Sequence, residues 1–159
     1  MTSWGPTKFA FKKNWLDLNE THGAEKEREG DRYPNYCLSW SNYLYDDKKS
    51  GQKLHLVACC GGGKAEIVAV EKDDPNDSCQ PWSTFIDDDP DEKFRASAFG
   101  GRSIGGSPFL ILGGKAAIIK LVDVDRRCLA HTLEGQQGVI NDLKVPPNDD
   151  SLLLSASSE

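Results

Sequence analysis

No apolar run in the 159 residues approaches the ~18 consecutive positions that a membrane-spanning helix requires. The opening, MTSWGPTKFAFKKNW, lacks the apolar centre of a secretory signal. Apolar residues nowhere recur at helical spacing for long enough to make a sustained amphipathic helix. Histidine is scarce: His22, His55 and His131 are scattered, and none stands near a nucleophile in sequence. No nucleophile–base pair is in view, and His55 in KLHLV reads as a satisfied strand residue. Cys37, Cys59, Cys60, Cys79 and Cys128 are odd in number and lack metal-ligand spacing. They read as reduced thiols of a cytosolic or nuclear protein, so neither a disulfide framework nor a metal site is expected. Adjacent Cys59 and Cys60 would point to opposite faces of a strand. Basic residues are the minority, 19 Lys and Arg against 25 Asp and Glu, for a net charge of −6. That balance argues against broad contact with nucleic-acid phosphate and permits a basic partner such as a lysine-rich tail.

What the chain has is short strands. TKFAFKKNW, Thr7 to Trp15, places Phe9 and Phe11 on one face, followed by Lys13 and Trp15, and reads as a short strand. NETHGAEKEREGDR, Asn19 to Arg32, has one apolar residue, Ala24, and reads as a solvated loop. NYCLSWSNYLY places Tyr36, Leu38 and Trp40 on one face, the pattern of a half-buried strand. KLHLVACC, AEIVAV, PWSTFI, FRASAFG, PFLILGG, AAIIKLVD, CLAHTLE, GVINDLKV and SLLLSAS follow, separated by turn-rich segments such as EKDDPNDS and PPNDD. FLIL and SLLL are apolar on both faces, which suits a sheet stacked between two others.

Two stretches invite other chemistry. CCGGGKAEIV offers a glycine-rich loop and a lysine, the ingredients of a phosphate cradle. The pattern fails, however: Ala65 stands where the Ser or Thr should be, Ala58 replaces the first glycine, and Ile67, Val68 and Val70 are β-branched. A hairpin turn is expected, since glycine takes φ > 0 without steric cost. DDDPDEK, Asp87 to Lys93, resembles a calcium loop in charge alone. It has Pro90 where the sharp turn needs glycine and lacks flanking helices, so an exposed loop is expected.

The plan of VACCGGGKAEIVAV returns in FLILGGKAAIIKL, Phe109 to Leu121, and SLLLSASSE looks like the start of a further copy. The repeat length is close to the ~40–45 residues of WD40 blades. The expected fold class is therefore all-β: a WD40 β-propeller, incomplete, with about two and a half four-stranded blades.

Within that frame one segment becomes specific. In a common WD repeat a Gly-His pair precedes the innermost strand, an Asp closes the next turn, and Trp-Asp ends the third strand. LEGQQGVINDLKVPPNDDSLLLSASSE places Gly135-Gln136 at the first position and Glu159 at the second. With CLAHTLEGQQGVIND, IDDDPDEKFRASAF, GGKAAIIKLVDVDRRCLAH and FKKNWLDLNETH, the order resembles the EED / extra sex combs family, from about Phe9 to Glu159. That family is the WD40 subunit of Polycomb repressive complex 2. The resemblance implies a seven-bladed propeller without catalysis or cofactor of its own. It also implies a scaffold for a SET-domain histone methyltransferase in chromatin silencing, in the nucleus. It further implies a reader of trimethyl-lysine on the histone H3 tail, through an aromatic cage that attracts quaternary ammonium by cation–π contact. Tyr36 falls at the first cage position, or is a core aromatic of its strand. Arg95 replaces a second cage aromatic, and a guanidinium repels the ligand there; a shift of one residue would offer Phe94, whose pattern is that of a packed residue.

The expected organisation is residues 1–18 as a strand that would close the last blade and 19–33 as a charged loop. Residues 34–86 are then blade one, 87–134 blade two, and 135–159 the first half of blade three. Ending within a blade leaves open edges, so the 159 residues alone are expected not to form a stable monomer. An incomplete reading of a longer gene, a truncated and non-functional copy, or a fragment that needs another chain would each give this pattern.

Overall fold

The computed structural model describes residues 37–47, 50–71, 79–101 and 106–158, all within the unit Tyr33–Glu159. The expected strand at Thr7 to Trp15, the charged segment up to Arg32, and Tyr36 lie outside them. The described residues form eleven strands and no helix, all paired antiparallel.

The first sheet contains β1 (Cys37–Trp40), β2 (Tyr45–Asp46), β3 (Lys53–Gly61), β4 (Lys64–Glu71) and β5 (Cys79–Ile86), in the order β1-β3-β4-β5 with β2 also on β3. The expected single strand NYCLSWSNYLY is thus interrupted. Trp40 pairs with Val57 and Tyr45 with Leu54, so residues 41–44 bridge what two residues span on β3. Ser41 makes the bend: its hydroxyl donates to the Tyr43 carbonyl at 2.8 Å and accepts from the Tyr43 N–H at 3.3 Å.

The sense of β1 also differs from expectation. Leu38 and Trp40 are 62% and 52% exposed, while Cys37 and Ser39 turn inward. Alternation separates two faces but does not say which one a neighbour covers. Here the neighbour is the second sheet, whose Ser97 bonds both Cys37 and Ser39.

That second sheet runs β6 (Phe94–Gly100), β7 (Phe109–Gly114), β8 (Ile119–Asp123), β9 (Cys128–Leu133) in sequence order. β10 (Ile140–Lys144) and β11 (Leu154–Ser157) pair as a ribbon beyond it. β7 is buried along its whole length, because apolar layers lie on both of its faces. Leu110 and Leu112 join Leu56, Ala58, Ile67 and Phe94 in the layer toward the first sheet. Phe109 and Ile111 join Ile119, Ile140 and Leu143 in the layer toward the ribbon. Leu152 and Leu154, from the apolar run SLLL, are exposed on the ribbon.

The two glycine-lysine stretches turn out to be built differently. Gly62 and Gly63 are the two-residue turn between β3 and β4, with Gly61 opposite Lys64 and Gly62 at φ 57°. A strand follows, so the phosphate-cradle reading has no helix to stand on. The turn also docks the next sheet: the Gly62 carbonyl accepts from the Phe94 N–H at 2.7 Å and the Gly63 carbonyl from the Asp87 N–H at 2.8 Å. Gly113 and Gly114 instead end β7, and the turn comes after them. A Cβ on Gly113 would lie 2.7 Å from Ile140 Cγ2, and one on Gly114 would lie 2.2 Å from the Lys93 carbonyl oxygen. Their role is close approach. Gly62→Ala is expected to cost ~1–2 kcal/mol, the left-handed penalty of an L residue. A lowered urea midpoint with unchanged slope is the measurement that checks it.

Candidate functional site

The loop into the second sheet, residues 87–93, is held by its own carboxylates. The Asp89 N–H donates to Asp87 Oδ1 and the Asp91 N–H to Asp89 Oδ1, each at 2.9 Å. Asp side chains favour such local capping of backbone N–H groups. The loop is not simply exposed, as the sequence suggested. The Asp87 side chain is 5% exposed and that of Glu92 0%, and both face the ammonium of Lys120 on β8. Asp87 Oδ2 takes the direct hydrogen bond, and Glu92 Oε2 lies 3.8 Å from Lys120 Nζ. Glu92 Oε1 accepts from the Lys93 N–H at 2.8 Å and the Ala116 N–H at 3.3 Å. The cation held by this acidic loop is therefore a lysine side chain. Its Nζ also sits 5.8 Å from the centre of the Phe94 ring. The sequence carried one signal of this: Lys120 interrupts the apolar run AAIIKLVD, and a lysine placed inside such a run must find a partner.

Of the cage positions, Tyr36 lies outside the described residues. Arg95 is exposed on β6, and its neighbour Phe94 is fully buried, 6.2 Å from the Phe85 ring. Phe94 is a packing residue in this register.

A cleft of about 490 Å³ opens between β1, β6 and β10. Leu38, Trp40, Phe99, Pro146 and Leu154 give it apolar walls, and Ser39, Ser97 and Lys144 supply polar groups. Trp40 brings an exposed aromatic face beside the His55 ring, 5.5 Å away. His55 is not the satisfied residue expected, since its buried Nδ1 has no hydrogen-bond partner. Behind the cleft, the Cys37 thiol donates to Ser97 Oγ at 3.2 Å, and Ser97 donates to Ser39 Oγ at 2.8 Å. A hydrogen bond from Cys60 holds the Cys37 thiol down at about 7, against the opposing effect of burial. The same contact and burial push Cys60 up. Cys59, on the opposite face, is pushed up to about 11 by burial and then by Glu66. Among the described residues no group of His, Cys, Asp and Glu stands together as a metal site.

Two repeat positions carry structural bonds. Gln136, where a Gly-His pair would place histidine, donates through Nε2 to Ser155 Oγ at 2.7 Å and accepts from Ser157 Oγ at 2.6 Å. Asp123 ends β8, the third strand of its sheet, where Trp-Asp would stand. Its buried carboxylate accepts from the Arg126 N–H at 2.8 Å and from Ser107 Oγ at 2.9 Å. Tyr45 of the first sheet reaches the second through its hydroxyl, which donates to Asp125, while its ring meets Trp82 of its own sheet edge-on at 5.2 Å.

No protein-family model matches the chain. It is 30% identical over 134 residues to the Polycomb group protein FIE2 of Zea mays, which covers 84% of this chain and 33% of that protein. The Polycomb group protein FIE1 of Oryza sativa subsp. japonica is 30% identical over 142 residues, covering 86% of this chain and 27% of that protein. The chain thus spans about a third or less of the curated relatives it matches. A chain in the crystal structure of the Chaetomium thermophilum polycomb repressive complex 2 matches with a TM-score of 0.65 at 23% identity, over 84% of this chain and 27% of that one. The stacked sheets are therefore blades of the WD40 propeller type, as expected from the repeat.

Proposed function

We propose, from homology with the Polycomb group FIE proteins and from the propeller fold, that the chain is the N-terminal part of an EED-like scaffold. The scaffold is non-catalytic, works in the nucleus, and supports chromatin silencing by holding a SET-domain histone H3 lysine methyltransferase. The similarity to FIE2 along 84% of the chain is the observation that carries this reading. Blade one is residues 34–86, blade two 87–134, and 135–159 opens blade three. Co-purification of the full-length form with a SET-domain protein is the expected result, and its failure sinks the reading.

Within this role, Tyr36 is the first cage aromatic and Arg95 weakens the methyl-lysine site. In titrations of the full-length form with histone H3 peptides, trimethylation is expected to give little gain in affinity. Arg95→Tyr is expected to raise the preference for the trimethylated peptide by ~2- to 30-fold, from ~0.5–2 kcal/mol for one aromatic–cation contact. The exposure of Arg95 on β6 favours a second reading, a WD40 scaffold of another complex with no methyl-lysine site. An Arg95→Tyr variant without any methylation preference supports that alternative.

A further inference from the structure

We propose that Cys37 is a peroxide-reactive thiol and that Cys60 resolves it into a cross-strand disulfide that ties β1 to β3. The two residues stand directly opposite each other in the β1–β3 register. Opposed residues of an antiparallel pair have Cα atoms ~4.5–5.5 Å apart, inside the ~4.4–6.8 Å window of a disulfide. Both side chains lie on the same face, toward the second sheet, and both are free thiols. No other cysteine has such a partner: Cys59 faces the other side, opposite Leu38, and Cys79 and Cys128 are exposed on β5 and β9.

The surroundings assign the two roles. Cys37 is half-buried and hydrogen-bonded to Ser97, which lines the cleft together with Ser39. A small oxidant in the cleft is therefore one hydroxyl away from the sulfur. Ser97 can rotate to donate to the thiolate when Cys37 ionises. Ionisation is favoured near neutral pH by the Cys60 S–H and by Lys144. Cys60 is 1% exposed, against the half-buried Cys37, so it does not act first. Its proton is retained chiefly through its contact with Cys37. Oxidation of Cys37 removes the thiolate that Cys60 bonds, which frees Cys60 to react.

Hydrogen peroxide is the oxidant class. The Cys37 thiolate attacks one peroxide oxygen, the O–O bond breaks, and the departing hydroxide takes a proton to become water. Cys37 is then a sulfenic acid. The Cys60 sulfur attacks the Cys37 sulfur, the S–O bond breaks, and a second water leaves with the Cys60 proton. Two thiols lose two electrons and one peroxide becomes two waters.

The test is graded hydrogen peroxide on the full chain, followed by dimedone trapping and non-reducing peptide mapping. The wild type is expected to give a Cys37–Cys60 linked peptide several-fold before Cys79 or Cys128 is modified, with dimedone on Cys37 only at early times. Cys60→Ser is expected to leave Cys37 as a dimedone adduct, and Cys37→Ser to leave Cys60 reduced at the same dose. Early dimedone trapping in the wild type reads the order of events without any substitution. Oxidation of Cys79 or Cys128 ahead of Cys37 overturns the proposal, as does a bond from Cys37 to Cys59 or Cys60 oxidation in Cys37→Ser.

Discussion

Lys120→Met is expected to lower stability by ~3–5 kcal/mol, the loss seen when one partner of a buried ion pair is removed. The magnitude follows from burial. The side chains of Lys120, Asp87 and Glu92 are 10%, 5% and 0% exposed, so water can replace little of the lost ammonium. Methionine matches the lysine stem in length and keeps the packing against Phe94, so the loss isolates the charge. Two carboxylates then face each other and the ring without a counter-ion. Adding Asp87→Asn and Glu92→Gln is expected to recover most of the loss. Asparagine can still accept from the Asp89 N–H, and glutamine from the Lys93 and Ala116 N–H groups. Urea midpoints of the full-length form, its single variant and its triple variant check both halves. A triple variant no more stable than Lys120→Met would show that the cost lies in packing, not in unpaired charge.

Phe94→Ala is expected to cost ~3–5 kcal/mol, as for a fully buried aromatic truncated in a core. Arg95→Ala, at the next position, is expected to stay within ~0.5 kcal/mol of the wild type. The contrast settles the register of β6. Phe94 has no exposed surface and packs in the layer with Leu110 and Leu112, while Arg95 points to solvent. If Phe94 served as a cage aromatic open to a ligand, its removal would cost little stability. Urea unfolding of the two variants in the full-length form, side by side, distinguishes the cases.

The repeat, the strands of the second sheet and the GGGK turn were legible because each rests on local chemistry. FRASAFG is β6 residue for residue, and glycines mark the tight turn between β3 and β4. What failed depends on partners far away in sequence. Leu38 and Trp40 do share one face of β1, but only the position of β6 decides that Cys37 and Ser39 face inward. DDDPDEK reads as an exposed loop until Lys120, thirty-three positions later, is known to lie against Asp87. Gly113-Gly114 copies Gly62-Gly63 in letters, yet one pair admits a neighbour and the other turns the chain. The Cys37–Cys60 opposition needs the strand register, which no local pattern supplies.

The docking of the second sheet on the Gly62–Gly63 turn has a geometric consequence. The carbonyls of that turn hold the N–H groups of Phe94 and Asp87, so backbone atoms take part in pinning one sheet to the entrance of the next. That part of the link between successive sheets is carried by peptide groups, which most side-chain substitutions elsewhere leave in place. Such a joint can persist while its letters drift to 30% identity or below. An inserted residue in the turn, by contrast, would swing every later sheet about that pin.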